Sequence, residues 1–204
     1  MHSEFIFDRA PTAMVHASTL VETDDHLVAA WFGGTTEGAP DTGIWLSRHA
    51  DGCWSPPLEA ATGSLPDGRR LPCWNPVLIH SPQVLQLLCR SRNKRITTVW
   101  SHDGGRTWGR MSATSLPNPN SGIDAIKLAD GRRLLIYNPT ARRRNRLALA
   151  LSSDGIDWRP AVTLEDSRGE YSYPTMIQTR NGLVHMTYTW KRKRIKHVVI
   201  NRVS

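Results

Sequence analysis

Cysteine is scarce in this chain of 204 residues: Cys53, Cys73 and Cys89 are odd in number and form no CxxC pair. That count and spacing argue against a disulfide framework or a cysteine zinc site, and the thiols read as reduced, with a cytoplasmic location as the expectation. Long apolar runs are missing too. The longest, such as residues 27–32 and 198–200, fall far short of the ~20 residues that span a bilayer. The first eleven residues carry Glu4 and Asp8 where a signal peptide needs an apolar core. A soluble, unexported protein with no membrane partner is expected. Eight His are scattered without an HExxH pattern or a close His/carboxylate cluster, so neither a metal nor a cofactor is expected.

Also absent are stretches rich in Ala, Leu and Glu, and with them any amphipathic helix. What stands in their place is 13 Pro, 15 Gly and 8 Trp spread along the chain. That composition suits many short strands joined by turns. One small unit recurs at a period near that of propeller blades. Its clearest copy is Ser101-His102-Asp103-Gly104-Gly105-Arg106-Thr107-Trp108. Ser152-Ser153-Asp154-Gly155-Ile156-Asp157-Trp158 is one residue shorter, and Ser47-Arg48-His49-Ala50-Asp51-Gly52-Cys53-Trp54 is more degenerate. The chemistry is that of a hairpin in which Asp caps turn amides, Gly accepts positive φ and Trp folds back as an apolar plug. A structural role is therefore expected for Asp51, Asp103 and Asp154.

A β-rich run precedes each copy, at residues 44–46, 96–100 and 147–151. Further hairpins are signalled around Asp24-Asp25, Asp130-Gly131 and Asn181-Gly182. Four four-stranded meanders are expected, over residues 12–60, 70–115, 120–165 and 170–204, as one all-β domain spanning 1–204. Residues 4–7 are expected to add a strand to the last sheet.

The repeats do not stand alone. His16-Ala17-Ser18-Thr19, Trp31-Phe32-Gly33-Gly34-Thr35, Asp41-Thr42-Gly43-Ile44-Trp45, Cys73-Trp74-Asn75-Pro76, Ser121-Gly122-Ile123-Asp124, Glu170-Tyr171-Ser172-Tyr173-Pro174 and residues 190–197 follow in order. With the two clear Asp-boxes, this set resembles the bacterial predicted neuraminidase family, sialidase-like proteins with BNR repeats. The likeness covers nearly the whole chain and implies a sialidase-like β-propeller. Members resemble six-bladed sialidases, whereas this chain has room for about four blades. Trp74-Asn75-Pro76-Val77 is similar to the opening of the second blade, and residues 87–92 to the later half of the fourth. A loss of two blades, with its junction in residues 78–85, is the simplest reading.

The resemblance also implies chemistry. Sialidases use a tyrosine nucleophile and an acid/base carboxyl. Glu170 beside Tyr171 offers the pairing, and period-two alternation in an extended strand puts Tyr171 and Tyr173 on one face. Asp41 is the leading acid/base candidate, with Glu37 second, and Asp124 has an equal claim to line the channel. Asn75 and Asn138 are expected to bind sugar hydroxyls, His16 and Trp190 to contact substrate, and Arg192 and Arg194 to fork an anionic carboxylate. Where sialidases carry an Arg-Ile-Pro-like segment, this chain reads Met14-Val15-His16, which departs from the family's first carboxylate-binding arginine.

The resemblance thus implies a glycoside hydrolase acting on a terminal acidic sugar. A non-catalytic or vestigial carbohydrate-binding propeller is the alternative. Nucleic-acid binding, through Arg142-Arg143-Arg144-Asn145-Arg146 and residues 191–196 and a net charge of +8, ranks last because neither tract carries interleaved stacking aromatics. Two open sheet edges on four blades are expected to favour a homodimer.

Overall fold

The computed structural model describes residues 4–65, 67–82 and 84–201. Among these residues there is no helix, and the strands form four antiparallel sheets. The first contains β1 (Met14–Glu22), β2 (Leu27–Gly34) and β3 (Gly43–Ala50), with β4 (Cys53–Trp54) and β5 (Leu58–Ala61) both paired to β3. The second runs β6 (Cys73–Ser81), β7 (Val84–Ser91), β8 (Arg95–Ser101), β9 (Ser112–Pro117). The third runs β10 (Asp124–Lys127), β11 (Arg133–Tyr137), β12 (Arg146–Ser152), β13 (Arg159–Asp166). The fourth holds β14 (Tyr171–Gln178), β15 (Val184–Trp190) and β16 (Arg194–Ile200).

Every sheet is a meander, so its connections are short and swap ends at each strand. The second strands β2, β7 and β11 are buried almost along their whole length. Covered on both faces, they read in sequence as continuous apolar runs instead of an alternation. The chain divides into two compact units, one reaching Ser91 and including Thr98–Ser112, the other made of Arg92–Thr97 and the chain from Ala113 onward. In the first, Val28, Phe32, Ile44, Leu46, Leu78, Leu87 and Val99 form the core, with Trp108 and Met111 packed against it. In the second, Leu134, Ile136, Leu147 and Leu149 pack with Tyr171, Met176, Met186 and Tyr188.

The recurring hairpin has the expected chemistry in its two clear copies. Asp103 accepts from the Ser101 hydroxyl at 2.8 Å and from the Thr107 amide and hydroxyl at 2.9 and 2.6 Å. Asp154 accepts from the Ser152 hydroxyl and from the amides of Ile156 and Asp157. In both, the Ser oxygen accepts from a Gly amide at 2.8 Å, that of Gly105 or Gly155, and the Trp indole returns a bond to the same glycine's carbonyl. Gly105 and Gly155 sit at φ +82° and +81°, where a side chain would be strained.

The third copy is different. Asp51 and Gly52 both have positive φ and join the paired residues Ala50 and Cys53, as in a two-residue primed hairpin. Trp54 packs edge-on against His49 at 5.0 Å instead of folding over the turn. Ser55 supplies the polar contacts, accepting from the Arg48 amide and taking the Ser47 hydroxyl on its carbonyl.

Residues 4–7 correct another expectation, since they lie outside any strand and the fourth sheet stays three-stranded. The Phe7 ring packs on Trp31 at 5.1 Å, and Glu4 stands 3.6 Å from His49, so this segment's contacts are made within the first unit. Strand β16 is left as an edge lined with Arg194 and Lys196, charges that blunt further pairing.

Candidate functional site

Alternating connections sort the loops of each sheet by end. The Ser-x-Asp-Gly hairpins lie at one end. The start of each first strand and the loop between second and third strands lie at the other. At that second end the backbone is strained in a repeating way. Ala17 in β1, Asn75 in β6 and Tyr173 in β14 have φ of 53°, 46° and 50°. Each marks a slip in register, between His16 and Thr19, Trp74 and Val77, and Ser172 and Thr175. A bulge re-aims the side chains around it, and a non-glycine residue held there costs about 1–3 kcal/mol.

The bulge in β14 overturns the expectation that Tyr171 and Tyr173 share a face. Tyr171 is fully buried and its hydroxyl pairs with Ser167 at 2.6 Å, whereas Tyr173 is 58% exposed. The extra residue breaks the period of two, so the second tyrosine swings out. Its ring lies against Gly122, where a Cβ would stand in ordinary contact at 3.4 Å.

Around Tyr173 the second unit assembles residues from four loops. Arg144 lies 6.0 Å from the Tyr173 ring centre and donates to the Asn120 carbonyl at 3.1 Å. Glu170 binds the Arg192 Nε at 2.8 Å, lies 3.7 Å from Arg144 and accepts from the Ser172 hydroxyl at 3.3 Å. The hydrogen bond from Arg192 outweighs burial and, with the charges of Arg192 and Arg144, holds the Glu170 carboxyl below its ordinary range. Glu170 is therefore an anion fixed by arginines, and does not touch the phenol of Tyr171 in the way a deprotonating base would. Arg192 itself stands on a strained turn, where Lys191 and Arg192 have φ of 53° and 54° and Lys193 donates to the Trp190 carbonyl.

Asp124 behaves in the opposite sense. Burial raises its carboxyl, although the Met176 and Ala125 amides at 2.7 and 2.9 Å and the Thr175 hydroxyl pull it back. These bonds tie β10 to β14 just beyond the bulge. Asn138 is fully buried and donates to the carbonyls of Arg146 and Tyr171. Its amide hydrogens are thus spent on backbone, while its Oδ1 is buried with no hydrogen-bond partner among the described residues. Trp190 is half-buried, with the Lys191 ammonium 4.4 Å over its ring, and Arg194 is exposed.

In the first unit, Asp41 caps its own loop by accepting from the Thr35 amide at 3.0 Å and from the Thr35 hydroxyl. The Thr35 hydroxyl, with the Thr35 amide, lowers its pKa against the opposing effect of burial, so Asp41 is an ionised acceptor at neutral pH. Glu37 is exposed on the same loop. His16 is exposed with its ring edge-on to Phe32 at 5.6 Å. Asn75 sits at the β6 bulge with its side-chain oxygen buried and unbonded.

Sequence reasoning passed over Arg144, Asn120 and Ser167 as site residues. The signal for the bulge was available: Trp74-Asn75-Pro76 and Ser172-Tyr173-Pro174 put a proline after the strained residue at the same place in two blades. It also passed over the one Tyr–Glu contact of the second unit's core. Tyr188 donates to Glu165 at 2.7 Å, and Lys196 binds the same oxygen at 2.6 Å. Burial and Glu165 push the Tyr188 phenol up, which suits a structural bond and opposes nucleophilicity. Among the described residues no group of three or more His, Cys, Asp or Glu is placed to hold a metal ion.

A family model described as a BNR repeat-like domain matches residues 25–84 and 78–186. The two stretches overlap in residues 78–84, within the segment 78–85 in which the junction is expected. No protein of curated function matches the sequence. A solved variant of the NanB sialidase of Streptococcus pneumoniae superposes with a TM-score of 0.69 at 16% identity, over 90% of this chain and 30% of that one. The sialidase of Trypanosoma rangeli, in complex with the inhibitor DANA, gives 0.70 at 14%, over 93% and 37%. A protein of unknown function from Dyadobacter fermentans gives 0.72 at 14%, over 90% and 65%. The chain spans less than two thirds of each of these structures. At such identities the likeness shows the fold, an all-β sialidase-type β-propeller represented by four blades.

Proposed function

We propose a function from this premise: the chain belongs to the BNR repeat-like family and its blades are those of a sialidase-type propeller. It recognises a terminal acidic sugar at the loop end of the second unit and hydrolyses its glycosidic bond. The observation that carries this reading is the meeting of Arg144, Arg192, Glu170 and exposed Tyr173 at one place. Glu170 takes the Arg192 Nε and leaves its outer nitrogens to fork a sugar carboxylate. Glu170 accepts hydroxyl protons of the ring.

Tyr173, exposed to solvent that can take its proton, replaces buried Tyr171 as the phenol that attacks the anomeric carbon as the bond from that carbon to the leaving oxygen breaks. Asp124, two residues from it through Thr175, is the carboxyl whose pKa is raised, the property required of an acid that protonates the leaving oxygen. Water then cleaves the tyrosyl intermediate. A second reading, sugar binding without turnover, is favoured by the state of Asp41, an ionised loop cap where the family resemblance implies the acid.

The test is hydrolysis of fluorogenic glycosides, headed by a sialoside, by the whole chain and by Tyr173→Phe, Asp124→Asn and Asp41→Asn, each checked for native circular dichroism. Loss of about 10²–10⁴-fold in the first two variants, with Asp41→Asn active, supports the reading. Loss in Asp41→Asn with Tyr173→Phe intact overturns these assignments. A flat panel from protein that still binds sialoside leaves the binding role alone.

A further inference from the structure

The arginine tract of residues 142–146 and the basic turn of residues 191–194, far apart in sequence, stand at one open cleft. The cleft encloses about 790 Å³ and is lined by Arg143, Arg144, Arg168 and Arg192 with Asp166 and Glu170 among its other residues. Its charges are not equally occupied. Glu170 is shared by Arg144 and Arg192. Asp166 is gripped by both Nε and Nη2 of Arg146, at 2.8 and 2.9 Å. Both carboxylates are therefore already matched, and no ion pair joins Arg143 or Arg168 to a carboxylate among the described residues. Both side chains are exposed, so two full positive charges face a concavity of the size that takes a drug-sized ligand.

The wall discriminates between polyanions. Two carboxylates, Ser167 and Asn145 offer partners for hydroxyl groups, which a sugar carries in greater number than a phosphodiester chain. The lining itself holds no aromatic side chain, and exposed Tyr173 beside Arg144 is a single ring, so successive nucleobases have no row of platforms to stack on. An anionic, hydroxyl-rich ligand fits better than a nucleic acid. Gly169, at φ +157°, keeps the wall open where a Cβ would stand 2.8 Å from the Lys191 stem.

We propose that Arg143 and Arg168 form a second anion subsite, which receives the carboxylate or sulfate of the sugar next to the terminal acidic one. The protein then prefers acidic oligosaccharides to chains with a single terminal charge. This rests on the acidic-sugar reading above and adds to it the residues that select a longer substrate.

The experiment is titration calorimetry of the whole chain with sialyllactose, which carries one carboxylate, and disialyllactose, which carries two, at two salt concentrations. Disialyllactose is expected to bind about tenfold tighter, with the preference shrinking in high salt and falling within twofold in Arg143→Gln/Arg168→Gln. Equal binding of both sugars by the unaltered chain overturns the subsite and leaves the acidic-sugar reading standing. Failure of both sugars to bind folded protein overturns that reading and the subsite with it. Tighter binding of a thymidine octamer than of either sugar, lost in the double variant, overturns the sugar assignment in favour of nucleic acid.

Discussion

Strand β12 carries at one end the hairpin of residues 152–158 and at the other the arginine loop of residues 138–145, and the two are built on opposite plans. In the hairpin, the Ser and Asp side chains bond within their own turn, and positive φ is confined to Gly155. At the loop end of the second unit, positive φ falls on Asn120, Tyr173, Lys191 and Arg192, and the Arg144–Asn120 and Arg192–Glu170 contacts join residues more than twenty positions apart. Local satisfaction makes a turn that needs nothing further. Strain and long-range pairing make one that a ligand can complete, and strain of that kind concentrates where function is.

The contrast is most exposed to test at the hairpin. Trp158 is 7% exposed and its indole donates to Gly155, so Trp158→Ala should cost about 3 kcal/mol or more in urea unfolding while sialoside affinity stays put. A collapse of affinity in folded protein would show that the two ends are not independent. Asp103→Asn should cost about 1–2 kcal/mol by losing charge-assisted bonds. Although burial alone would raise it, the Thr107 and Ser101 bonds hold the Asp103 carboxyl down at about 2. Its unfolded value is near 3.9. Its folded pKa being the lower, its stabilisation is complete above about pH 4 and is lost as pH falls through about 2. Acid titration of stability should therefore show a step in the native chain that Asp103→Asn lacks. The smallest effect is expected at the strained turn, where Lys191→Asn should stabilise by about 0.5 kcal/mol, because Asn tolerates positive φ better. A destabilised variant would mean that the Lys191–Trp190 contact outweighs the backbone cost.

Much of the fold could be read from local signals. Asp103 and Asp154 announced their hairpins because the Asp, Gly and Trp that make each turn are neighbours in sequence. The missing blades were legible for the same reason, as motif order is a property of the chain. Asp51 misled, since Asp-Gly serves a tight primed turn as readily as a longer capped one, and flanking pairing at Ala50 and Cys53 decided between them.

The candidate site was legible only in part. Glu170, Tyr173 and Arg192 were singled out, but the partner of Glu170 was expected to be Tyr171 and is instead a pair of arginines. Alternation failed at Tyr173 because a bulge shifts parity by one residue, and a bulge depends on how β14 meets β15.

By itself the sequence determined the strands, their turns and the family, because each rests on residues within a few positions of one another. Only the tertiary structure decided which tyrosine faces solvent, which carboxyl burial pushes up and which arginines keep an unmatched charge. Burial and charge pairing are sums over neighbours that the chain brings together from afar.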